Sequence, residues 1–123
     1  MILNRTLLFT GIIAFLIIFS GCGTTADDGR ILIIQDELPQ MEVLAEYLGS
    51  NSNLDLTVVD QGTLPANLTS YTAIILYVHG DLQESTEKAV IEYTENGGRL
   101  ILLHHSISSG KAKNRYYFDF LGI

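Results

Sequence analysis

Cysteine is nearly absent from this sequence: Cys22 is the single one, so no disulfide can form within the chain. If the chain is exported, it must therefore be stabilised by the packing of its core. A lone thiol directly after an apolar run also suits a lipid attachment point better than a redox site or a metal site.

The sequence also lacks the motifs of nucleotide-binding and serine-hydrolase sites. No G-x-G-x-x-G follows the first apolar strand, no phosphate-binding loop is present, and no serine occupies a G-x-S-x-G elbow. Gly97 and Gly98 precede a predicted strand, so they indicate the end of a helix rather than a phosphate cradle. Nucleotide binding and standard serine hydrolysis are both unsupported, and no cofactor is expected.

Basic residues are scarce. Seven Lys and Arg stand against 14 Asp and Glu, which gives a formal net charge of −7. An acidic surface of this kind repels nucleic acid and anionic lipid head groups, so no nucleic-acid partner is expected.

No apolar run reaches the roughly 20 residues that a membrane-spanning helix needs. Residues 7–19 form a shorter apolar run behind Arg5, and residues 19–22 resemble a lipobox, at which bacterial lipoprotein signals are cut before a lipid-bearing cysteine. We therefore predict a signal peptide over residues 1–21, lipidation at Cys22, and a location on the extracytoplasmic side of a bacterial envelope membrane. The alternative is a stray cysteine in an uncleaved anchor.

Cleavage would leave six basic and 14 acidic side chains, a formal charge of −8. Residues 22–29 are small or polar and are predicted to be a lipid-anchored tether. The remaining residues, 30–123, are predicted to form one α/β domain.

From Arg30 onward, short apolar runs alternate with stretches of helical periodicity. Helices are predicted to begin at Pro39 and near Glu84, and a loop with one helical turn near residues 66–68 is predicted between the second and third strands. The predicted strands are residues 31–34, 54–60, 71–78 and 100–103, with the second nearer the sheet edge and the fourth buried. Parallel strands joined by right-handed crossovers indicate a three-layer open parallel sheet.

Polar side chains follow three of these strands. They are candidate ligand-binding or catalytic groups, because open parallel sheets bind ligands beyond the carboxyl ends of their strands. Histidine is the most chemically versatile of them near neutral pH. The candidates are Asp36 after the first strand, His79 after the third, and His104, His105 and Ser106 after the fourth.

No metal site is predicted at His104 and His105 alone, because adjacent residues leaving a strand point in different directions. A metal site would need His79 or carboxylates from other loops. The alternative role for the pair is structural, with one histidine packing at the strand end and the other facing solvent.

The last residues combine basic and aromatic side chains. Lys111, Lys113 and Arg115 are predicted to form a solvated face. The aromatic residues that follow could line a sugar-stacking platform, but such clusters more often belong to a core. They are Tyr116, Tyr117, Phe118 and Phe120.

Residues 30–34, 71–76 and above all 96–106 resemble the ThuA-like (trehalose utilisation) family, whose members share the class I glutamine amidotransferase-like fold, a flavodoxin-like three-layer sheet. The resemblance implies that His104 stands where true amidotransferases carry a nucleophilic cysteine at a strand-to-helix elbow. It further implies a carbohydrate ligand at His104. From their strand-end positions, His104 and His105 are predicted to be catalytic, and Asp36, His79 and Ser106 are predicted to lie around the pocket. Family domains continue past Ile123, so a C-terminally truncated domain is expected.

Three functions remain open at this point. The chain is expected to be an enzyme or enzyme relative acting on trehalose or a keto-sugar, a non-catalytic surface lipoprotein that binds a ligand or partner, or a fragment without activity. The sequence does not determine the oligomeric state.

Overall fold

The computed structural model describes residues 29–123, so the predicted signal peptide, the lipidation site Cys22 and most of the tether lie outside the described residues. The described chain follows the predicted order of strands and helices. Its elements are β1 (Arg30–Gln35), α1 (Leu38–Asn51), β2 (Asp55–Asp60), β3 (Ala73–Tyr77), α2 (Glu84–Glu95), β4 (Arg99–Leu102) and α3 (Tyr117–Leu121), with 3-10 helices at Leu68–Ser70, His104–Ile107 and Ser109–Lys113.

The four strands form one parallel sheet in the order β2-β1-β3-β4. Ile33 of β1 lies opposite Val58 on one side and Ile75 on the other. The chain therefore crosses from one side of β1 to the other between β2 and β3. In open α/β sheets, this reversal of strand order opens a crevice at the carboxyl ends, where ligands bind.

Helices cover both faces of the sheet. On one face Met41 of α1 packs with Ile33 and Ile75, and on the other Val90 of α2 and Tyr117 of α3 join a larger cluster. Burying one such side chain stabilises the fold by about 1.5–3 kcal/mol. The arrangement is an α/β fold compatible with three layers. The larger cluster contains Leu32, Ile34, Ile74, Leu76, Val78, Leu82, Val90, Tyr93 and Tyr117.

The turn between α2 and β4 depends on two glycines. Gly97 adopts a left-handed conformation with φ of 92°, which costs glycine little and other residues more. The amide of Gly98 donates to the carbonyl of Tyr93 over 3.0 Å, and a Cβ on Gly98 would collide with the Tyr93 ring. The predicted helix stop is therefore confirmed, and it leads the chain directly into β4.

Two sequence predictions about the sheet need correction. The fourth strand was predicted to be buried, but β4 lies at the sheet edge and 48% of Ile101 is exposed, because α1, the helix on the same face as Ile101, packs mainly against β1 and β2. The single helical turn after β2 lies at Leu68–Ser70 rather than at residues 66–68. The edge position of β2 is confirmed.

Within residues 29–123, no helix is both long enough and apolar enough to span a bilayer.

Candidate functional site

All three histidines of the chain meet at the carboxyl end of the sheet. His79 lies just beyond β3, whereas His104 and His105 begin the 3-10 helix just beyond β4. The ring centroid of His79 lies 5.0 Å from that of His104 and 4.1 Å from that of His105. All three side chains are at least partly accessible to solvent. We call these three residues the histidine cluster.

The geometry of a regular strand predicts that adjacent side chains point in different directions. The rings of His104 and His105 instead lie side by side. Their ring centroids are 3.8 Å apart, with the ring planes at 81°. The cause is a sharp change of direction at His104, whose φ of 53° is the one positive φ at a non-glycine residue in the described chain. Such a conformation costs about 1–3 kcal/mol and is concentrated at functional sites, although histidine tolerates it better than most residues.

Glu37 and Tyr77 contact two members of the histidine cluster. Nδ1 of His79 lies 3.1 Å from Oε1 of Glu37, and the hydroxyl of Tyr77 donates to the other carboxylate oxygen over 3.2 Å. The Tyr77 ring also stacks on His104 with centroids 6.1 Å apart. Desolvation, together with the bond to Glu37, raises the pKa of Tyr77 above its ordinary value. Neither residue was predicted to belong to the site, although Glu37 lies only two residues after the end of β1.

Asp36 orders the loop that carries His79. Its Oδ1 accepts from the amide of His79 over 2.8 Å, and its Oδ2 accepts from the amide of Gly80 over 2.7 Å. A Cβ on Gly80 would approach Oδ2 to 3.2 Å, so glycine suits this close contact. These bonds join the end of β1 to the loop after β3, and thereby fix the backbone position of His79.

Ser106 fixes the position of the 3-10 helix that carries His104 and His105. It is fully buried, its hydroxyl donates to the carbonyl of Leu76 over 2.9 Å, and it accepts from the amide of Val78 over 2.9 Å. The predicted ligand-binding serine therefore directs its hydroxyl into the backbone of β3, beneath the histidine cluster.

Lys111 is buried, contrary to the sequence prediction. Instead of belonging to a solvated face it is only 1% exposed, and its Nζ donates to the carbonyls of His79 and Gly80 over 3.2 and 2.6 Å. Burial lowers the pKa of Lys111. The prediction was wrong because the 3-10 helix Ser109–Lys113 folds back against the loop after β3. Lys113 and Arg115 are exposed, as predicted.

The electrostatic surroundings favour a neutral imidazole at His105. Partial burial lowers its pKa below the ordinary value of 6.5, and any positive charge on His104, His79 or Lys111 acts in the same direction. A lowered pKa favours the form with an unprotonated ring nitrogen, which can accept a proton or bind a cation.

Two of the closing aromatic residues, Tyr117 and Phe118, belong to the core. Tyr117 is fully buried, and Phe118 packs against the same cluster, whereas Tyr116 is 45% exposed beneath the guanidinium of Arg115. Burial raises the pKa of the Tyr117 hydroxyl well above its ordinary value. The core interpretation is confirmed for Tyr117.

A separate cavity opens at the amino ends of β3 and β4, between Tyr71, Tyr93 and Arg99. Neither a histidine nor a carboxylate lines it. The groups able to transfer protons or bind metal are instead at the carboxyl ends, where sheets of this kind bind ligands.

Comparison with known proteins found no matching family model, curated protein or solved structure. Function therefore has to be inferred from the residues of the chain itself.

Proposed function

We propose that this chain is a ThuA-like domain with the class I glutamine amidotransferase-like fold, and that its histidine cluster binds a carbohydrate such as trehalose or a keto-sugar. The observation that carries the proposal is the convergence of every histidine in the chain at the carboxyl ends of β3 and β4. Imidazoles can donate and accept hydrogen bonds, so they suit a ligand that offers many hydroxyl or carbonyl oxygens.

Within this site, His104 is the proposed proton-transfer or carbonyl-polarising group. Its left-handed backbone projects it next to His105, at the position where the family resemblance locates the elbow residue. His105 supplies a neutral imidazole beside it, and Glu37 orients His79. Two of the predicted pocket residues, Asp36 and Ser106, are assigned the task of holding these loops in place.

The test is titration of the full chain with a panel of disaccharides and keto-sugars, by calorimetry and by analysis of the products. We expect His104→Ala to weaken binding of the preferred sugar about tenfold, the loss of one hydrogen bond of about 1.4 kcal/mol. Tyr47→Ala, which removes a ring that is 65% exposed on α1, is the matched control and should bind normally. Sugar binding that is equally strong in both variants would refute the proposal.

A non-catalytic ligand-binding role is the second candidate. One observation favours it: the hydroxyl beside the histidine cluster, that of Ser106, is buried and bonded to the backbone, so it is not available as a nucleophile. A sugar that binds with the expected dependence on His104, but is recovered chemically unchanged, would support this role over the catalytic one.

The proposal includes a location. Arg5, the apolar residues 7–19 and Cys22 support export and lipid attachment at the extracytoplasmic side of a bacterial membrane. A lipid on Cys22 would anchor the acidic domain even though its charge does not favour contact with anionic head groups.

A further inference from the structure

We propose that His79, His104 and His105 together bind one divalent transition-metal ion of the Zn²⁺ class. The inference rests on the proposed function, because it gives the same site a metal ion that would help to hold the ligand. It goes beyond the sequence prediction, which expected no metal at the adjacent pair alone and required either His79 or carboxylates from other loops for one. The fold supplies that third histidine.

The geometry is close to that of a coordination site. One ring nitrogen from each of the three histidines lies within 4.8 Å of the other two. A tetrahedral ion with metal–nitrogen distances of about 2.0–2.1 Å holds its nitrogens about 3.4 Å apart. We expect rotation of the exposed rings to close this difference, because the fold already holds the loop of His79 beside the 3-10 helix that carries His104 and His105.

The surroundings of His79 match those of metal-binding histidines. Such residues usually pass their second N–H to a carboxylate, which fixes the tautomer and the ring orientation. Oε1 of Glu37 lies 3.1 Å from Nδ1 of His79, and Tyr77 holds the other carboxylate oxygen. A proton on Nδ1 leaves the lone pair on Nε2, the atom available to the metal ion.

The charge balance permits a cation at this place. Lys111 brings a positive charge to the inner side of the loop, but its Nζ is bonded to two backbone carbonyls and points away from the surface. Asp36 and Asp81 offset that charge, and Glu37 brings a further carboxylate against His79. A metal ion bound to the three imidazoles would therefore lie near carboxylates as well as near the positive charge of Lys111.

The donor set indicates the class of ion. Three imidazoles suit Zn²⁺, Co²⁺, Ni²⁺ or Cu²⁺, whereas Ca²⁺ and Mg²⁺ prefer carboxylate and carbonyl oxygens. Three protein ligands also leave a fourth position open, which is typical of catalytic rather than structural zinc sites. Because the histidine cluster is accessible to solvent, that position can take a water molecule or an oxygen of the bound sugar.

The test uses the full chain, purified without a polyhistidine tag and freed of metal by chelation. Calorimetry with Zn²⁺ gives the stoichiometry and affinity, and the visible spectrum of added Co²⁺ reports on the coordination. We expect one ion per chain, and at least tenfold weaker binding for each of His79→Ala, His104→Ala and His105→Ala. Glu37→Gln should weaken binding about 10–100-fold through orientation of His79 alone.

Three controls make the result decisive. Glu46→Gln removes an exposed carboxylate on α1 and should bind Zn²⁺ like the wild type, which excludes general attraction to the acidic surface. Cys22→Ser should also bind normally, which excludes the single thiol. A cooperative thermal melt of each variant shows that it is folded, and Zn²⁺ should raise the melting temperature of the wild type and of both control variants only.

Sugar titrations with and without Zn²⁺ distinguish this inference from the proposed function. Sugar binding that depends on His104 but is unaffected by chelation, with no Zn²⁺ bound, would overturn the metal site and leave the proposed function standing. Tight Zn²⁺ binding that requires all three histidines, without any sugar binding, would support the metal site and overturn the proposed function. Zn²⁺ affinity unchanged in the histidine variants would overturn the metal site in either case.

Discussion

At the scale of single residues, His104 is the position where local backbone preference and the proposed function conflict most clearly. Its left-handed φ of 53° is unfavourable for a side chain with a Cβ, and it persists only because the surrounding contacts hold it. This conformation brings the rings of His104 and His105 together, whereas a straight continuation of β4 would direct them apart.

The altered pKa of His105 predicts an effect of pH on stability. Because its pKa in the folded state lies below 6.5, the unfolded chain binds a proton at this residue in the window between the two values, and the folded chain does not. The contribution of His105 to stability is therefore lost as the pH falls through about 6.5 towards the folded pKa. His79, His104 and Lys111 strengthen this effect, whereas Glu37 opposes it.

We expect the melting temperature of the metal-free wild type to fall more steeply on acidification below pH 6.5 than that of His105→Gln. Circular dichroism melts at a series of pH values provide the measurement. The carboxyl groups with lowered pKa values, those of Asp81 and Glu84, titrate at lower pH and affect both proteins alike. Parallel curves for the two proteins would contradict the assignment.

At the scale of elements, the histidine cluster depends on bonds between loops rather than on the strands alone. Asp36 joins the end of β1 to the loop after β3, and Ser106 joins the 3-10 helix after β4 to Leu76 of β3. Lys111, from the next 3-10 helix, donates to the carbonyl of Gly80 in the loop after β3. A further buried residue, Glu87 of α2, accepts from Asn114 and from the amide of Tyr116. These contacts position the segment between β4 and α3.

Ser106→Ala should destabilise the protein by about 1–3 kcal/mol, because it leaves the carbonyl of Leu76 and the amide of Val78 without the bonds that they make to the hydroxyl. Urea unfolding measures the change. Ser70→Ala removes a surface hydroxyl bonded to Asn67 and should change the stability by no more than about 0.5 kcal/mol.

Because Ser106 positions the segment that carries His104 and His105, the Ser106→Ala variant should also bind Zn²⁺ more weakly, although it retains both histidines. Equal stability of the Ser106 and Ser70 variants would show that this hydroxyl does not hold the two elements together.

At the scale of the whole molecule, the order β2-β1-β3-β4 brings the ends of β1, β3 and β4 side by side. Parallel pairing makes all of these ends point the same way, so residues far apart in the chain share one edge of the sheet. The outer edge of β4 is less protected, since Ile101 remains 48% exposed there. Such an edge favours association with another chain unless it is covered.

The proposed anchoring is a property of the whole molecule as well. Expression in a bacterium with labelled palmitate should give a labelled, membrane-associated product, because two or more acyl chains give stable attachment where one is marginal. Cys22→Ser should remain unlabelled and run as the uncleaved precursor. Labelling of the Cys22→Ser protein, or membrane retention of both proteins without label, would contradict lipid attachment at this residue.

The sequence alone determined the order of β1 to β4 with α1 and α2, and most of their bounds, but not α3 or the 3-10 helices after β4. Apolar runs such as residues 31–34 are too short for helices and too apolar for an exposed strand, and Pro39 and Gly97 mark helix ends through restrictions that act within a few residues. The parallel pairing of β1 with β2 and of β3 with β4 follows from the helices α1 and α2 that connect them. His79, His104 and His105 were recognisable as strand-end residues for the same local reason.

Only the tertiary structure decided which of these residues act together. The meeting of His79 with the adjacent pair, the burial of Lys111 and the support from Glu37 each depend on contacts between segments distant in the chain. The exposure of β4 depends on what covers its face, which periodicity does not report. Local pattern reflects a residue's own backbone and near neighbours, whereas a site is made by the packing of loops that the sheet brings to one edge.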